Sequence, residues 1–114
     1  MTTIAFSIPI VPGKTESFRS AHRRFAVERR PEFEASRRRL GVAAERGFLQ
    51  HTPAGDVAVV VFEVEDPTRF FAGTAGSSEP IDGEFRAYLL DAFGLDVSRV
   101  AGPPSEQVFE WSRG

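Results

Sequence analysis

Cysteine is absent from this chain, which excludes disulfide frameworks, thiolate metal sites and cysteine nucleophiles. No apolar run approaches the roughly 20 residues of a membrane span. The opening Met1-Thr2-Thr3-Ile4-Ala5-Phe6 also lacks the basic region and long apolar stretch of a secretory signal. These absences predict a soluble, cytoplasmic protein. Lysine occurs once, against thirteen arginines, and tyrosine and tryptophan once each. Phenylalanine supplies the aromatic content instead, with 11 copies in 114 residues. So much Phe makes burial easy and would line any internal pocket with aromatic surface.

The length and the 41% hydrophobic, 26% charged composition predict a single domain, residues 1 to 114, with a modest core. The formal net charge of -2 hides an asymmetry. Residues 1 to 40 carry nine basic and four acidic side chains, and residues 41 to 114 carry five basic and twelve acidic ones. Attraction between the two parts is expected, within one molecule or across a pair of them.

Residues 3 to 11 alternate in polarity, with Ile4, Phe6, Ile8 and Ile10 on one face, and predict a first strand. Pro12-Gly13 ends it, and Thr15 is placed to N-cap a helix carrying Phe18, His22, Phe25 and Arg29 on one stripe. Pro31 predicts a break at Arg30 and a new short helix ended by Gly41. Residues 42 to 51 read as a second strand of mixed polarity. Pro53-Ala54-Gly55-Asp56 then turns the chain into a third strand at 57 to 65, which predicts an antiparallel hairpin. Asp66-Pro67 opens a helical region loosened by Gly73 and Gly76. A better defined helix carries Phe85, Tyr88, Leu89, Ala92 and Phe93 and closes at Gly94. A last strand is expected near 106 to 112, giving the order β-α-β-β-α-β.

The segment Val57-Ala58-Val59-Val60-Val61-Phe62-Glu63-Val64 is apolar on both faces of a strand. Right-handed crossovers put both helical regions on one face of a four-stranded sheet, so the other face has no cover within the chain. A second copy of the chain is the economical cover, and a homodimer is expected.

With Ile4 to Val11, the helix at Thr15, the Pro53 to Asp56 hairpin, the Val57 to Glu65 strand and the Phe85 to Gly94 helix in this order, the chain resembles the dimeric α+β barrel superfamily. That resemblance covers nearly the whole chain. It implies ferredoxin-like α+β subunits packed sheet to sheet, with a cleft between helices and sheet in each. The superfamily includes cofactor-independent monooxygenases, haem-degrading enzymes, small cyclases and isomerases, and stress-responsive proteins. The chain carries no Asn-Trp-Tyr constellation and no haem-ligand pattern. An RNA recognition motif would need aromatic and basic residues on the third strand, where this chain has valines.

His22 is the catalytic candidate, because a polar group on an otherwise apolar helix stripe needs a bonding partner or a ligand. Arg29 and Arg46 are candidate anchors for an anionic group on a substrate, since guanidinium matches carboxylate in a bidentate fashion. Tyr88 is a candidate substrate contact, on a helix face where packing also accounts for it, as it does for Trp111. His51, beside the turn, reads as solvated or interfacial. A metal site joining His22 and His51 to Glu63 or Glu65 has no supporting local spacing, so no metal and no cofactor are expected. Acidic residues interrupt the Arg-rich stretch from Arg19 to Arg39, with Glu34 and Arg38 at i,i+4, which reads as a solvated helix face and predicts no nucleic-acid partner. Two functions stay open. One is binding of a small apolar or aromatic molecule in the cleft, with monooxygenase-like or isomerase-like chemistry at His22. The other is a non-catalytic regulatory or stress-response dimer in which His22 is structural.

Overall fold

A computed structural model describes residues 1–100 and 102–114. The elements are β1 (Thr2–Pro9), α1 (Thr15–Ala21), a π-helical segment (His22–Val27), α2 (Arg30–Arg39), β2 (Val42–Thr52), β3 (Gly55–Val64), α3 (Pro67–Gly76), α4 (Pro80–Phe93) and a 3-10 turn (Val97–Arg99). No described helix is long and apolar enough to cross a membrane.

The sheet is three-stranded and antiparallel, in the order β1-β3-β2. Apolar alternation sets its register: Ile4 pairs with Phe62, Phe6 with Val60 and Ile8 with Ala58. These even-numbered side chains face the helices. Ala58, Phe62 and Val64 are buried there, whereas Val57, Val59 and Val61 lie on the opposite face and stay half-buried. Among the described residues, the two-faced strand therefore has a helical cover on one side of the subunit and no helix on the other.

A bulge in β2 controls what reaches the helix side. Val42 pairs with Val64 and Ala44 with Glu63, so Ala43 is an extra residue and the alternation reverses after it. Glu45, Gly47 and Leu49 consequently face the helices, with Ala44, Arg46, Phe48 and Gln50 turned away.

Several local expectations need correction. Thr15 does not cap α1; its hydroxyl donates to Asp56 at 2.6 Å and ties the helix start to the hairpin. Among the described α-helices the side-chain cap is Asp66, accepting from the Thr68 N–H at 3.0 Å at the start of α3. The break before Pro31 falls at Arg29, preceded by the π-helical segment. The strand expected at 106 to 112 is not formed: among the described residues beyond Val100 there is no strand, and Val108, Phe109 and Trp111 are exposed. Ser105 reaches the free edge of β1, donating from its hydroxyl to the Ala5 carbonyl at 2.5 Å, and the chain beyond it adds no ladder.

The charge asymmetry resolves inside one molecule. Lys14–Asp91, Arg29–Glu84, Arg37–Glu45 and Arg39–Asp82 pair the basic N-terminal part with the acidic remainder at 2.7 to 3.0 Å. Much of the Arg-rich face is likewise paired with its own acidic neighbours, as in Arg30–Glu34.

α3 packs closely on the end of α2. Its Gly73 sits where a Cβ would lie 2.4 Å from Leu40 Cδ2, and Leu40 is buried. Gly73→Ala is expected to destabilise by up to about 2 kcal/mol, because overpacking at about 1–3 kcal/mol offsets or exceeds the roughly 1 kcal/mol of helix propensity gained. Thermal denaturation checks this, since an unhindered helical glycine would give a raised Tm on the same exchange.

Candidate functional site

The core divides into two clusters. One joins Phe25, Ala58, Ile81, Tyr88 and Phe93; the other joins Ile4, Leu40, Phe62, Val64 and Phe70. Val60 packs against both. A cavity of about 560 Å³, lined from both clusters, lies between the helices and the sheet. Interiors normally hold few voids larger than a water molecule. A space of this size falls within the range of small-molecule pockets.

Nine of the 11 Phe residues line it, held by edge-on and tilted ring contacts such as Phe25–Phe85 at 5.3 Å and Phe62–Phe70 at 5.0 Å. Gly47 contributes to the room, because a Cβ there would stand 3.4 Å from the Phe18 ring. The aromatic richness of the sequence is thus largely the wall of one pocket.

His22 begins the π-helical segment, where the Glu28 N–H donates to the Arg23 carbonyl at 2.8 Å across five residues. The widened turn carries Phe25 into the core and leaves His22 at the cavity rim. His22 was expected on a buried stripe; it is exposed, lines the cavity and has no hydrogen-bond partner among the described residues. An imidazole in that position is free to meet a ligand.

Tyr88 is buried in the cavity wall on α4. Burial pushes its phenol above the usual value of 10, the Glu45 carboxylate pushes the same way, and Arg24 opposes more weakly. The hydroxyl therefore stays protonated at physiological pH and is available as a donor.

The other two predicted residues are elsewhere. Arg29 Nη1 donates to both carboxylate oxygens of Glu84 at 2.7 and 2.9 Å and Nε donates to Glu32 at 3.0 Å, clamping the start of α2 to α4 outside the cavity. Arg46 points to the uncovered sheet face because of the β2 bulge. His51 is bonded through Nδ1 to Asp56 Oδ1 at 2.6 Å near the hairpin turn, remote in sequence and element from His22. Bonds from Thr15 and then His51 hold the Asp56 carboxyl below its usual range. Among the described residues no three His, Asp or Glu side chains gather as a metal site would need.

Three wall groups were not anticipated from the sequence. Arg37 is sandwiched with its guanidinium 4.2 Å from the Phe33 ring centre and 4.5 Å from that of Phe85. Its Nε lies 2.8 Å from Glu45 Oε1, an ion pair whose angle falls outside hydrogen-bond geometry, and Nη2 donates to Glu45 Oε2 at 3.4 Å. Thr74 Oγ1 on α3 is buried with no hydrogen-bond partner among the described residues. The Arg37–Glu45 pair gave no local signal, because the residues belong to different elements and face each other only once the bulge has turned Glu45 inward.

A three-stranded antiparallel sheet covered by helices on one face, with a cavity between the layers, makes this an α+β subunit. A solved structure, the L-rhamnose mutarotase FA22100 from Formosa agariphila, shares this fold with a TM-score of 0.64. The superposition covers 98% of this chain and 100% of that one at 18% identity. That neighbour has the fold of the dimeric α+β barrel superfamily. No family model matches the chain, and no curated protein matches it in sequence.

Proposed function

We propose that this protein binds a small, largely apolar or aromatic molecule in the Phe-lined cavity and acts on it by proton transfer at His22, in an isomerase-type reaction needing no cofactor. The observation that carries this reading is the open cavity of about 560 Å³ reaching an unbonded imidazole at its rim. A cavity packed shut by Phe rings would have favoured a structural dimer module instead.

The wall chemistry narrows the ligand. Both arginines on the lining are already paired, Arg37 with Glu45 and Arg19 with Glu16. An anionic ligand would have to displace a carboxylate, so a neutral molecule with hydroxyl or carbonyl groups fits better. Its apolar face would lie on Phe rings and its polar end would meet Tyr88 and Thr74. His22 is the proton donor and acceptor, imidazole being the side chain that exchanges protons readily near neutral pH. The fold neighbour is named as an L-rhamnose mutarotase, and anomer interconversion is a reaction that needs only such acid–base help.

The assembly belongs to the same reading. The uncovered face presents Ala5, Phe48, Val57, Val59 and Val61, and we take it as the contact between two copies in a homodimer. NMR titration with p-cresol tests the pocket. Methyl signals of Val60 and Leu49 should shift, and Val60→Trp, which fills the space, should abolish the effect. Selective-inversion NMR on L-rhamnose anomers is the first assay for exchange. Unmoved Val60 and Leu49 signals at saturating p-cresol would overturn the reading.

A further inference from the structure

Anomer exchange moves protons at two oxygens, so a single imidazole leaves the reaction proposed above half supplied. Ring opening breaks the bond between the anomeric carbon and the ring oxygen. The ring oxygen takes up a proton, while the anomeric hydroxyl gives one up and becomes a carbonyl. His22 can serve one of these oxygens. The other calls for a second group on the wall of the same cavity.

Glu45 has unused capacity of the right kind. It lines the cavity, with its side chain 24% exposed. A carboxylate offers about four lone-pair sites. Here its one side-chain hydrogen bond among the described residues is the long 3.4 Å bond from Arg37 Nη2, and Oε1 has no hydrogen-bond partner. Arg37 supplies a countercharge at 2.8 Å, and Phe33 and Phe85 flank its guanidinium. The carboxylate is thus held in an apolar wall without saturated bonding, a condition that a further donor would relieve. Tyr88 offers the matching group. It is 5% exposed, lines the same cavity and has no side-chain hydrogen bond among the described residues, and it is near enough to Glu45 for that charge to act on its phenol. A ligand hydroxyl at this end can donate to the carboxylate and accept from the phenol.

His22 belongs to the same end of the cavity. Gly47 sits against Phe18, one turn before His22. Phe25, three residues after it, packs on Phe33 and Phe85, the rings around Arg37. The segment from Phe18 to Phe25 therefore follows β2 from Gly47 towards Glu45, a stretch of about 7 Å. Resting on the proton-transfer reading above, we propose that Glu45 is a second catalytic residue: it takes the proton of a ligand hydroxyl held by Tyr88 while His22 gives one to the departing ring oxygen. Reclosure on the other face of the carbonyl reverses both transfers, so each group ends as it began.

Comparing p-cresol with p-methylanisole separates the acceptor from the cavity. Both probes offer an oxygen to Tyr88, but only p-cresol has a hydroxyl to donate. In NMR titration wild type should bind p-cresol about tenfold more tightly, the effect of a hydrogen bond to a charged group. Glu45→Gln should cut that preference severalfold and slow anomer exchange by about 10²–10⁴-fold, since an amide accepts a hydrogen bond but not a proton. Where Glu45→Gln does not fold, Arg37→Met combined with Glu45→Leu replaces the ion pair by apolar groups, and the preference should vanish. Equal affinities in wild type, with the Val60 and Leu49 signals shifted, would overturn the role of Glu45 and leave the cavity reading standing. A preference that survives in both variants would assign the acceptor to another group, against the proposal. Unchanged exchange in folded Glu45→Gln would overturn its part in the reaction. Wild type that binds both probes but exchanges no anomers would overturn the proton-transfer reading itself, and failure of both probes to bind would overturn the cavity reading and this proposal with it.

Discussion

Replacing His22 with Ala is expected to slow the proton-transfer reaction by about 10²–10⁴-fold, the usual contribution of a positioned general acid–base group. The same change should leave binding of a neutral aromatic probe in the cavity within about twofold, because apolar burial against the walls supplies most of such affinity. The separation follows from position: His22 is exposed at the rim and nine Phe rings form the body of the pocket. Stability should hardly change, since the imidazole has no bonded partner among the described residues. The measurement pairs the anomer-exchange rate with p-cresol binding for wild type and His22→Ala. An unaltered rate would remove His22 from the mechanism, and lost binding with the fold intact would make it a ligand-holding residue.

Asp82→Ala is expected to cost about 3 kcal/mol of folding stability, the range found when one partner of a buried polar cluster is removed. Asp82 is 4% exposed in the first turn of α4. Its carboxylate accepts from Ser36 on α2, from Ser77 before α4 at 2.5 Å, and from Arg39 at 3.0 Å. One side chain thus joins α2, α4 and the connection between α3 and α4, the helices that roof the cavity. Removing it strands Ser36, which is 1% exposed, without its acceptor. Burial opposes ionisation of Asp82, but the bonds from Ser36, Ser77 and Arg39 outweigh it and hold the carboxyl below the ordinary 3.8. A carboxyl with a depressed folded-state pKa stabilises the fold above its unfolded value, and the contribution is lost as pH falls through the folded one. Urea denaturation should therefore show the gap between wild type and Asp82→Asn wide at pH 7 and shrinking below about pH 4. A constant gap would show that the charge contributes nothing.

Much of the subunit was legible along the chain because its signals are local. The helix at Phe85 to Phe93 was readable from apolar spacing and the glycine after it, and Gly94 indeed adopts the left-handed conformation at φ 62°. The hairpin was readable from Pro53 to Asp56, and pairs Thr52 with Gly55 as that turn requires. The π-helical segment was not readable. Nothing in His22-Arg23-Arg24-Phe25 separates 3.6 from 4.4 residues per turn, and that difference is what moves His22 from a buried stripe to the rim. The β2 bulge was equally silent. A single inserted residue, Ala43, exchanges the sides of Glu45 and Arg46, so an anchor expected in the cleft sits outside it and an unsuspected carboxylate sits within.

By itself the sequence determined the excess of Phe, the two-faced strand and the order of elements as far as the helix closed by Gly94, since composition and alternation are properties of short stretches. Only the tertiary structure decided that the Phe rings would enclose a cavity rather than fill it. It also decided which polar groups share its wall and where the last strand finds no partner. Each of those outcomes depends on residues distant in the chain meeting across layers, where a one-residue shift in register changes which side chains can touch.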